Sequence, residues 1–112
     1  MEILGDGTQT KSYVHVDDCN NAILLGFDKA NEKVNIFNIG SEDFVDVKKI
    51  SDLVCKEMNI QPKYNFTGGD KGWVGDVRHM QLDASKLKSL SWNPKFNSES
   101  AIVDTLRNLL NE

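Results

Sequence analysis

The sequence of 112 residues has few cysteines, no long apolar run and no concentration of basic residues. Its two cysteines, Cys19 and Cys55, form no Cys-x-x-Cys motif, so we expect reduced thiols in a cytoplasmic protein. No apolar segment approaches the roughly 20 residues that a membrane-spanning helix needs. The 13 Lys and Arg residues are dispersed along a chain of net charge −4, which argues against a nucleic-acid-binding surface.

Several motifs that carry chemistry are also missing. The G-D-G turn at residues 5–7 follows no predicted strand and has no third glycine in register, as a dinucleotide-binding turn requires. The glycine-rich segment 68–75 lacks the Lys-Ser/Thr end of a P-loop. The histidines and cysteines have no paired-ligand spacing, and no motif supports a Ser-His-Asp nucleophile. We therefore predict that this chain itself binds neither a metal nor a nucleotide cofactor.

The hydrophobic pattern predicts one small mixed α/β domain over residues 1–112, with four amphipathic helices and a few short strands. Predicted helices cover about 18–29, 47–58, 84–90 and 98–110, with Asp17, Asp46, Asp83 and Asn97 as their N-caps. Predicted strands cover 11–16, 36–40 and 63–66, and residues 79–82 are expected to be extended. Tyr64 and Phe66 should lie on the same face of the third strand.

The run from Gly5 to Asp18 (G-D-G-T-Q-T-K-S-Y-V-H-V-D-D) joins a tight turn, a predicted strand and a helix cap. Alternation along the strand places Lys11, Tyr13 and His15 on one face. A cation, a phenol and an imidazole side by side suggest a surface that meets an anionic, hydroxyl-bearing ligand.

Three segments resemble one enzyme family in the same order along the chain. They are the run at residues 5–18, the stretch G-G-D-K-G-W-V-G-D-V followed by L-D-A-S-K-L at 68–77 and 82–87, and W-N-P at 92–94. The family is the extended short-chain dehydrogenases/reductases, which contains the NAD-dependent nucleotide-sugar epimerases and dehydratases. The resemblance implies a C-terminal substrate-binding domain that packs beside a Rossmann domain.

The resemblance also implies what this chain lacks. The family's catalytic pair is Tyr-x-x-x-Lys, but Asp17 and Gly68 stand at that distance after Tyr13 and Tyr64. We therefore expect the 112 residues to be inactive alone, with NAD and the catalytic pair in an N-terminal Rossmann domain outside them. We expect the surface that faces this domain to include the first strand and its surroundings. This surface should either form an exposed apolar patch or be covered by self-association.

Substrate-binding roles follow from the resemblance at two positions of the opening run. Lys11 stands where the family has an arginine that contacts the nucleotide-sugar diphosphate, and Tyr13 matches an aromatic residue near the bound nucleotide. Lysine supplies a point charge without the bidentate fork of arginine, and Ser12 replaces a common aspartate. The alternatives are a solvated lysine at a strand edge and a half-buried strand tyrosine; His15 is expected to be structural.

Three more positions lie in or directly after the glycine-rich segment 68–75. Asp76 matches the aspartate that binds the ribose hydroxyls, and it could instead be a turn-forming residue. Lys71 lies near the arginine of the family's R-G-W sequence and could face phosphate. Trp73 either stacks on the base or pins the loop, and Arg78 is a further cation with no matching family position.

The resemblance leaves the function of the parent protein open. The stretch from Trp73 to Leu87 is most similar to the UDP-glucose 4-epimerase subgroup, with a dehydratase or decarboxylase as the near alternative. Two other classes also remain: a non-catalytic module that binds a nucleotide-sugar or a protein, and a structural fragment. Binding of UDP-glucose would favour the substrate-binding hypothesis over the hypothesis of a purely structural fragment.

Overall fold

A computed structural model describes residues 1–112, and it confirms a small mixed α/β fold of four helices and a few short strands. The strands are β1 (Glu2–Ile3), β2 (Thr10–Lys11), β3 (Val45–Asp46) and β4 (Asn65–Phe66). The helices are α1 (Val16–Lys29), α2 (Val47–Glu57), α3 (Ser85–Ser89) and α4 (Ser98–Leu110). None of the helices has the length and apolar character needed to cross a membrane.

The strands form two separate two-stranded sheets. β1 runs parallel to β4, with Glu2 opposite Asn65 and Ile3 opposite Phe66. β2 runs antiparallel to β3, with Thr10 opposite Asp46. The predicted strand at 63–66 is confirmed in shortened form, and the rings of Tyr64 and Phe66 lie 6.1 Å apart, on one side as predicted.

Local capping signals place the helix starts. Asp46 and Asn97 cap α2 and α4, as predicted. Asp46 accepts the Lys49 N–H at 2.6 Å, and Asn97 forms in addition a capping box with Ser100. The predicted cap of α1 is wrong. α1 begins two residues earlier than expected, and His15 Nδ1 accepts the N–H of Asp17 at 3.1 Å.

The third predicted cap, Asp83, is displaced from its expected place. α3 begins at Ser85 and its N-cap position is Ala84, which makes no side-chain cap. Asp83 still binds the helix start, because its Oδ1 accepts the Ser85 N–H at 2.9 Å. The carboxylate therefore performs the expected function from one residue further back.

A small apolar core joins α1, α3 and the segment before α4. Its fully buried members are Ala22, Ala84, Leu87 and Trp92. The buried carboxylate of Asp18 closes one side, accepting the N–H groups of Lys95 at 2.8 Å and Phe96 at 3.0 Å. The buried side chain of Asp18 is thus satisfied by two backbone N–H groups and links α1 to the segment before α4.

His15 is buried, and this agrees with its expected structural role. Its ring stacks on Phe96 with centroids 4.1 Å apart, and its Nε2 lies 3.0 Å from Asp104 Oδ2. Because Nδ1 accepts the Asp17 N–H, Nε2 carries the proton that is donated to Asp104. His15 therefore links the start of α1 to α4.

Two predicted strands differ from the structure: one is shorter than predicted and the other is not a strand. The strand expected at 11–16 ends at Lys11, and the N–H of Tyr13 binds the Ser98 hydroxyl at 3.0 Å instead of a neighbouring strand. Lys11, Tyr13 and His15 consequently share no polar face. The segment 36–40 forms no strand, because a strand needs a hydrogen-bonding partner and none lies beside it; Ile36 is 73% exposed.

Candidate functional site

The opening turn is held by glycine conformation and by one buried amide. Gly5 and Gly7 have φ values of 84° and 81°, in the left-handed region that favours glycine. The side chain of Gln9 fills the inside of the turn, accepting the Gly7 N–H at 3.0 Å and donating to the Leu4 carbonyl at 3.0 Å. β2 therefore leaves this turn in a fixed direction.

The glycine-rich loop, residues 68–78, packs against this turn and β2. The Thr10 N–H donates to the Arg78 carbonyl at 2.9 Å. The Arg78 guanidinium donates to the Thr8 hydroxyl at 2.8 Å and to the Asp70 carbonyl at 3.0 Å. Arg78 thus ties the two ends of the glycine-rich loop to the opening turn.

An ion pair between Lys11 and Asp76 lies at the centre of this contact. Lys11 Nζ donates to Asp76 Oδ1 at 2.8 Å and to the Val77 carbonyl at 2.7 Å. The other oxygen of Asp76 accepts the Gly72 N–H at 2.9 Å. The Asp76 side chain is 1% exposed and that of Lys11 is 29% exposed. The Lys11 ammonium, followed by the Gly72 N–H, holds the pKa of Asp76 below its ordinary value.

A cavity of about 230 Å³ opens beside Lys11. Its wall is mostly apolar and includes Tyr13, Ile39, Val77, Met80 and Leu82. Tyr13 is 39% exposed, so its ring is available at the surface of the cavity. An apolar wall with one cation at the edge suits a ligand that carries both a ring and an anion.

Trp73 extends from the glycine-rich loop and is 60% exposed. Lys11 Nζ lies 5.9 Å from the centre of the indole, within the range of a cation–π contact. Lys71 is exposed in the same loop. Lys11, Trp73 and Asp76 are therefore neighbours, and Tyr13 lies beside Lys11 at the cavity. No hydrogen bond or ion pair joins the Lys71 side chain to the other four predicted residues.

Gln9 is the organising residue for which the sequence analysis assigned no role. It is 1% exposed, and a Cβ atom added to Gly72 would lie 3.4 Å from its Nε2. The side chain of Gln9 therefore contacts both the opening turn and the glycine-rich loop. Its place within G-D-G-T-Q was the available signal, because a polar residue that follows a tight turn is well positioned to satisfy the turn's own N–H groups.

The residues of this chain do not fit the pyrophosphate of NAD. A pyrophosphate site of that type needs a glycine turn that opens a helix. The glycine turn here leads into β2, and no helix begins at the end of the glycine-rich loop. The first turn of α1 carries Asp17 and Asp18, whose charges disfavour an anion at that helix end.

No protein-family model matches this chain, but several sequence relatives are named as enzymes that act on nucleotide-sugars. A putative UDP-glucose 4-epimerase of Methanocaldococcus jannaschii is 32% identical over 100 residues, covering 89% of this chain and 31% of that protein. A trifunctional UDP-glucose 4,6-dehydratase of Arabidopsis thaliana is 29% identical over 106 residues, covering 95% of this chain and 16% of that protein.

A solved structure has a similar fold over nearly the whole chain. The UDP-glucose 4-epimerase of Thermotoga maritima, crystallised with UDP-glucose, matches with a TM-score of 0.83 and 29% identity. The match covers 99% of this chain and 35% of that protein. The chain thus spans about a third or less of the length of the relatives it matches.

Proposed function

We propose that this chain, a relative of the C-terminal part of NAD-dependent nucleotide-sugar epimerases and dehydratases, is the substrate-binding domain of such an enzyme. The observation that carries the proposal is the position of Lys11 and Tyr13 at one cavity, in a chain related over nearly its whole length to an enzyme crystallised with UDP-glucose. The proposed ligand is a nucleotide-sugar, and a UDP-sugar is the first candidate.

Lys11 is the proposed contact for the diphosphate. Its ammonium is partly exposed beside the cavity, and a charge-assisted hydrogen bond to phosphate is stronger than a neutral one. Lysine acts as a point charge, so it fixes the position of the phosphate less strictly than arginine would. The exposed Lys71 is the proposed second cation, which adds long-range attraction to the anion.

Asp76, Tyr13 and Trp73 are the proposed contacts for the rest of the ligand. A carboxylate accepts hydrogen bonds from the two hydroxyls of a ribose, and Asp76 is the carboxylate nearest to Lys11. Tyr13 would form one wall of the cavity, and Trp73 would cover the ligand from the loop.

The chemistry of the parent enzyme is proposed to lie outside these residues. NAD would supply hydride transfer in the parent enzyme, but the residues of this chain do not fit its pyrophosphate and contain no Tyr-x-x-x-Lys pair. The contribution of this chain is to hold the nucleotide while the sugar reacts. We expect no turnover by the isolated chain, and formation of reduced nicotinamide by the purified 112 residues would contradict this expectation.

The surface proposed to face the NAD-binding part lies on α1. Ile23, Leu24 and Phe27 are 56%, 66% and 85% exposed, and the nearby Ile36 is 73% exposed. Ile23 and Phe27 line an apolar hollow of about 340 Å³ between α1 and residues 35–39. The surface expected around the first strand is a second candidate, because Tyr13, Val77 and Met80 are exposed beside Lys11. A face of this kind is typical of a protein contact.

Tryptophan fluorescence tests ligand binding directly. Trp73 is 60% exposed while Trp92 is 5% exposed, so Trp73 is the residue that a ligand at Lys11 would affect. We expect UDP-glucose to change the emission with a saturable dependence, and glucose to leave it unchanged. The Trp73→Phe variant should lose the response while retaining the emission of Trp92. An unchanged spectrum at millimolar UDP-glucose would contradict the proposal.

A further inference from the structure

The buried ring of His15 uses both of its nitrogens to join two helices. Nδ1 accepts the Asp17 N–H at 3.1 Å and so serves as the N-cap of α1. Nε2 lies 3.0 Å from Asp104 Oδ2 on α4, and the ring stacks on Phe96. This arrangement requires a neutral ring with its proton on Nε2, because a ring nitrogen that accepts a hydrogen bond carries no proton.

Histidine differs from the usual capping residues in changing its charge near neutral pH. The side chains of Ser, Thr, Asp and Asn keep an acceptor oxygen between about pH 5 and 8. Imidazole gains a proton within that range, and the protonated ring has two donors and no acceptor. A proton on Nδ1 of His15 therefore takes away the acceptor of the Asp17 N–H.

Carboxylates on both helices are placed to bind the protonated ring. Asp17 Oδ2 lies 3.8 Å from Nδ1, and its side chain is 71% exposed and therefore free to move closer. Asp104 Oδ2 already accepts from Nε2, so protonation makes that hydrogen bond charge-assisted. The remaining charged residues of the segments packed against the ring are Asp18, Lys95 and Arg107.

We infer that His15 is a pH-responsive switch that exchanges the cap of α1 for ion pairs as the pH falls. The neutral ring accepts the Asp17 N–H, whereas the protonated ring releases it and donates to the carboxylates of Asp17 and Asp104. The first turn of α1 then loosens while the contact with α4 tightens. The switch is independent of the proposed function, because it involves no ligand.

The switch adjoins the candidate site through the chain itself. Tyr13, which lines the cavity beside Lys11, lies two residues before His15. The Tyr13 N–H donates to the hydroxyl of Ser98 at the start of α4. The cavity wall and the contact between α1 and α4 therefore share one short segment.

NMR of the full chain between about pH 8 and pH 5 tests the switch. We expect the His15 ring to change from the Nε2–H tautomer to the doubly protonated form. The protection of the Asp17 amide from solvent exchange, corrected for the intrinsic effect of pH, should fall about fivefold with the same midpoint, the scale of one lost helix cap. The Lys49 amide is the internal control, because Asp46 caps it with a carboxylate, a group that stays ionised over this range.

Two variants identify the group responsible. His15→Asn keeps a capping oxygen that does not titrate, so the pH dependence of the Asp17 amide should disappear while α1 remains capped. His79→Gln removes the other histidine, which is exposed, and should leave the transition at Asp17 unchanged.

Two results in the wild-type chain would overturn the inference. The first is a His15 ring that keeps its Nε2–H tautomer down to about pH 5, as a purely structural histidine would. The second is a ring that becomes protonated while the Asp17 amide stays equally protected or changes with a different midpoint. Neither result depends on the folding of a variant, and failure to bind UDP-glucose would count against the proposed function alone.

Discussion

Lys11 Nζ and Asp76 Oδ1 lie 2.8 Å apart although 65 residues separate them in the sequence. The pair connects β2 to the glycine-rich loop, and with the hydrogen bond from Thr10 N–H to the Arg78 carbonyl it fixes the loop along one side of β2. Lys11, but not Asp76, also lines the cavity that Tyr13 lines. A change in the loop can therefore reach the candidate site through this pair and through Val77, which lines the cavity.

Gly7 is a position of the opening turn where a side chain would clash with an aromatic ring. Its φ is 81°, and a Cβ atom there would lie 2.7 Å from the Phe66 ring. We expect Gly7→Ala to lower the free energy of unfolding by more than about 2 kcal/mol, because overpacking adds to backbone strain. Gly68 has the same φ of 80° but an open surrounding. Gly68→Ala should cost about 1 kcal/mol in urea unfolding, and equal losses at the two sites would contradict the steric argument.

Asp18 is expected to be the most important carboxylate for stability. Asp18→Ala leaves the N–H groups of Lys95 and Phe96 without their acceptor, so we expect a loss of about 2–4 kcal/mol in the free energy of unfolding. Asp17→Ala is the matched control, since its carboxylate lies in the same turn but is 71% exposed. We expect the control to stay within about 0.5 kcal/mol of wild type in urea unfolding. A loss at Asp17 as large as that at Asp18 would refute the assignment.

The free energy of unfolding should fall at acidic pH, because the folded chain holds the pKa of some carboxyl groups below the value in the unfolded chain. Burial acts to raise the pKa of Asp43, but hydrogen bonds from the Ser41 and Ser98 hydroxyls and the Ser98 N–H outweigh it and the pKa is lowered. The pKa of Asp76 is lowered by Lys11 and Gly72. The unfolded chain then binds protons more readily than the folded chain, so this stabilisation is complete above about pH 5 and is lost as the pH falls below about 4.

Urea unfolding between neutral pH and about pH 3 measures this dependence. Asp43→Asn should reduce the acid-induced loss, because the asparagine does not titrate. Asp28→Asn removes an exposed carboxylate of α1 and serves as a charge-matched control, with an unchanged pH profile expected. A profile for Asp43→Asn that is parallel to wild type would show that this carboxylate does not contribute.

The exposed face of α1 should affect association and leave folding nearly unchanged. Phe27 is 85% exposed, so Phe27→Glu should change the free energy of unfolding by no more than about 0.5 kcal/mol. If this face is a protein contact, the variant should associate less than wild type in sedimentation velocity at high concentration. Lys33→Glu, a nearby exposed substitution that removes no apolar surface, is the control. Equal association of both variants and wild type would argue against the proposed contact face.

The features of the fold that the sequence predicts correctly are set by residues that lie close together in the chain. The caps at Asp46 and Asn97 were identified because a capping side chain binds N–H groups within three residues of itself. The start of α1 was misplaced because Asp17 has the more usual capping side chain, whereas His15 is held in place by Phe96 and Asp104 from a distant segment.

Contacts between distant segments account for what the sequence did not reveal. Ile36–Gly40 has the composition of a strand, but strand formation depends on a partner that no local pattern can supply. Lys11 and Asp76 were each expected to bind the ligand, and their resemblance to family positions gave no sign that they would bind each other. The charges are 65 residues apart, so their pairing follows from the packing of the loop on β2.

The most direct test of nucleotide-sugar binding is a two-dimensional NMR titration of the full chain with UDP-glucose. We predict saturable shifts of the backbone amides of Lys11, Tyr13 and Asp76, with the amides of α2 and α4 unmoved. Lys11→Met should weaken binding by about tenfold or more, the usual scale for the loss of one charge-assisted contact to phosphate. Unshifted amides at these three residues at millimolar UDP-glucose would contradict the account.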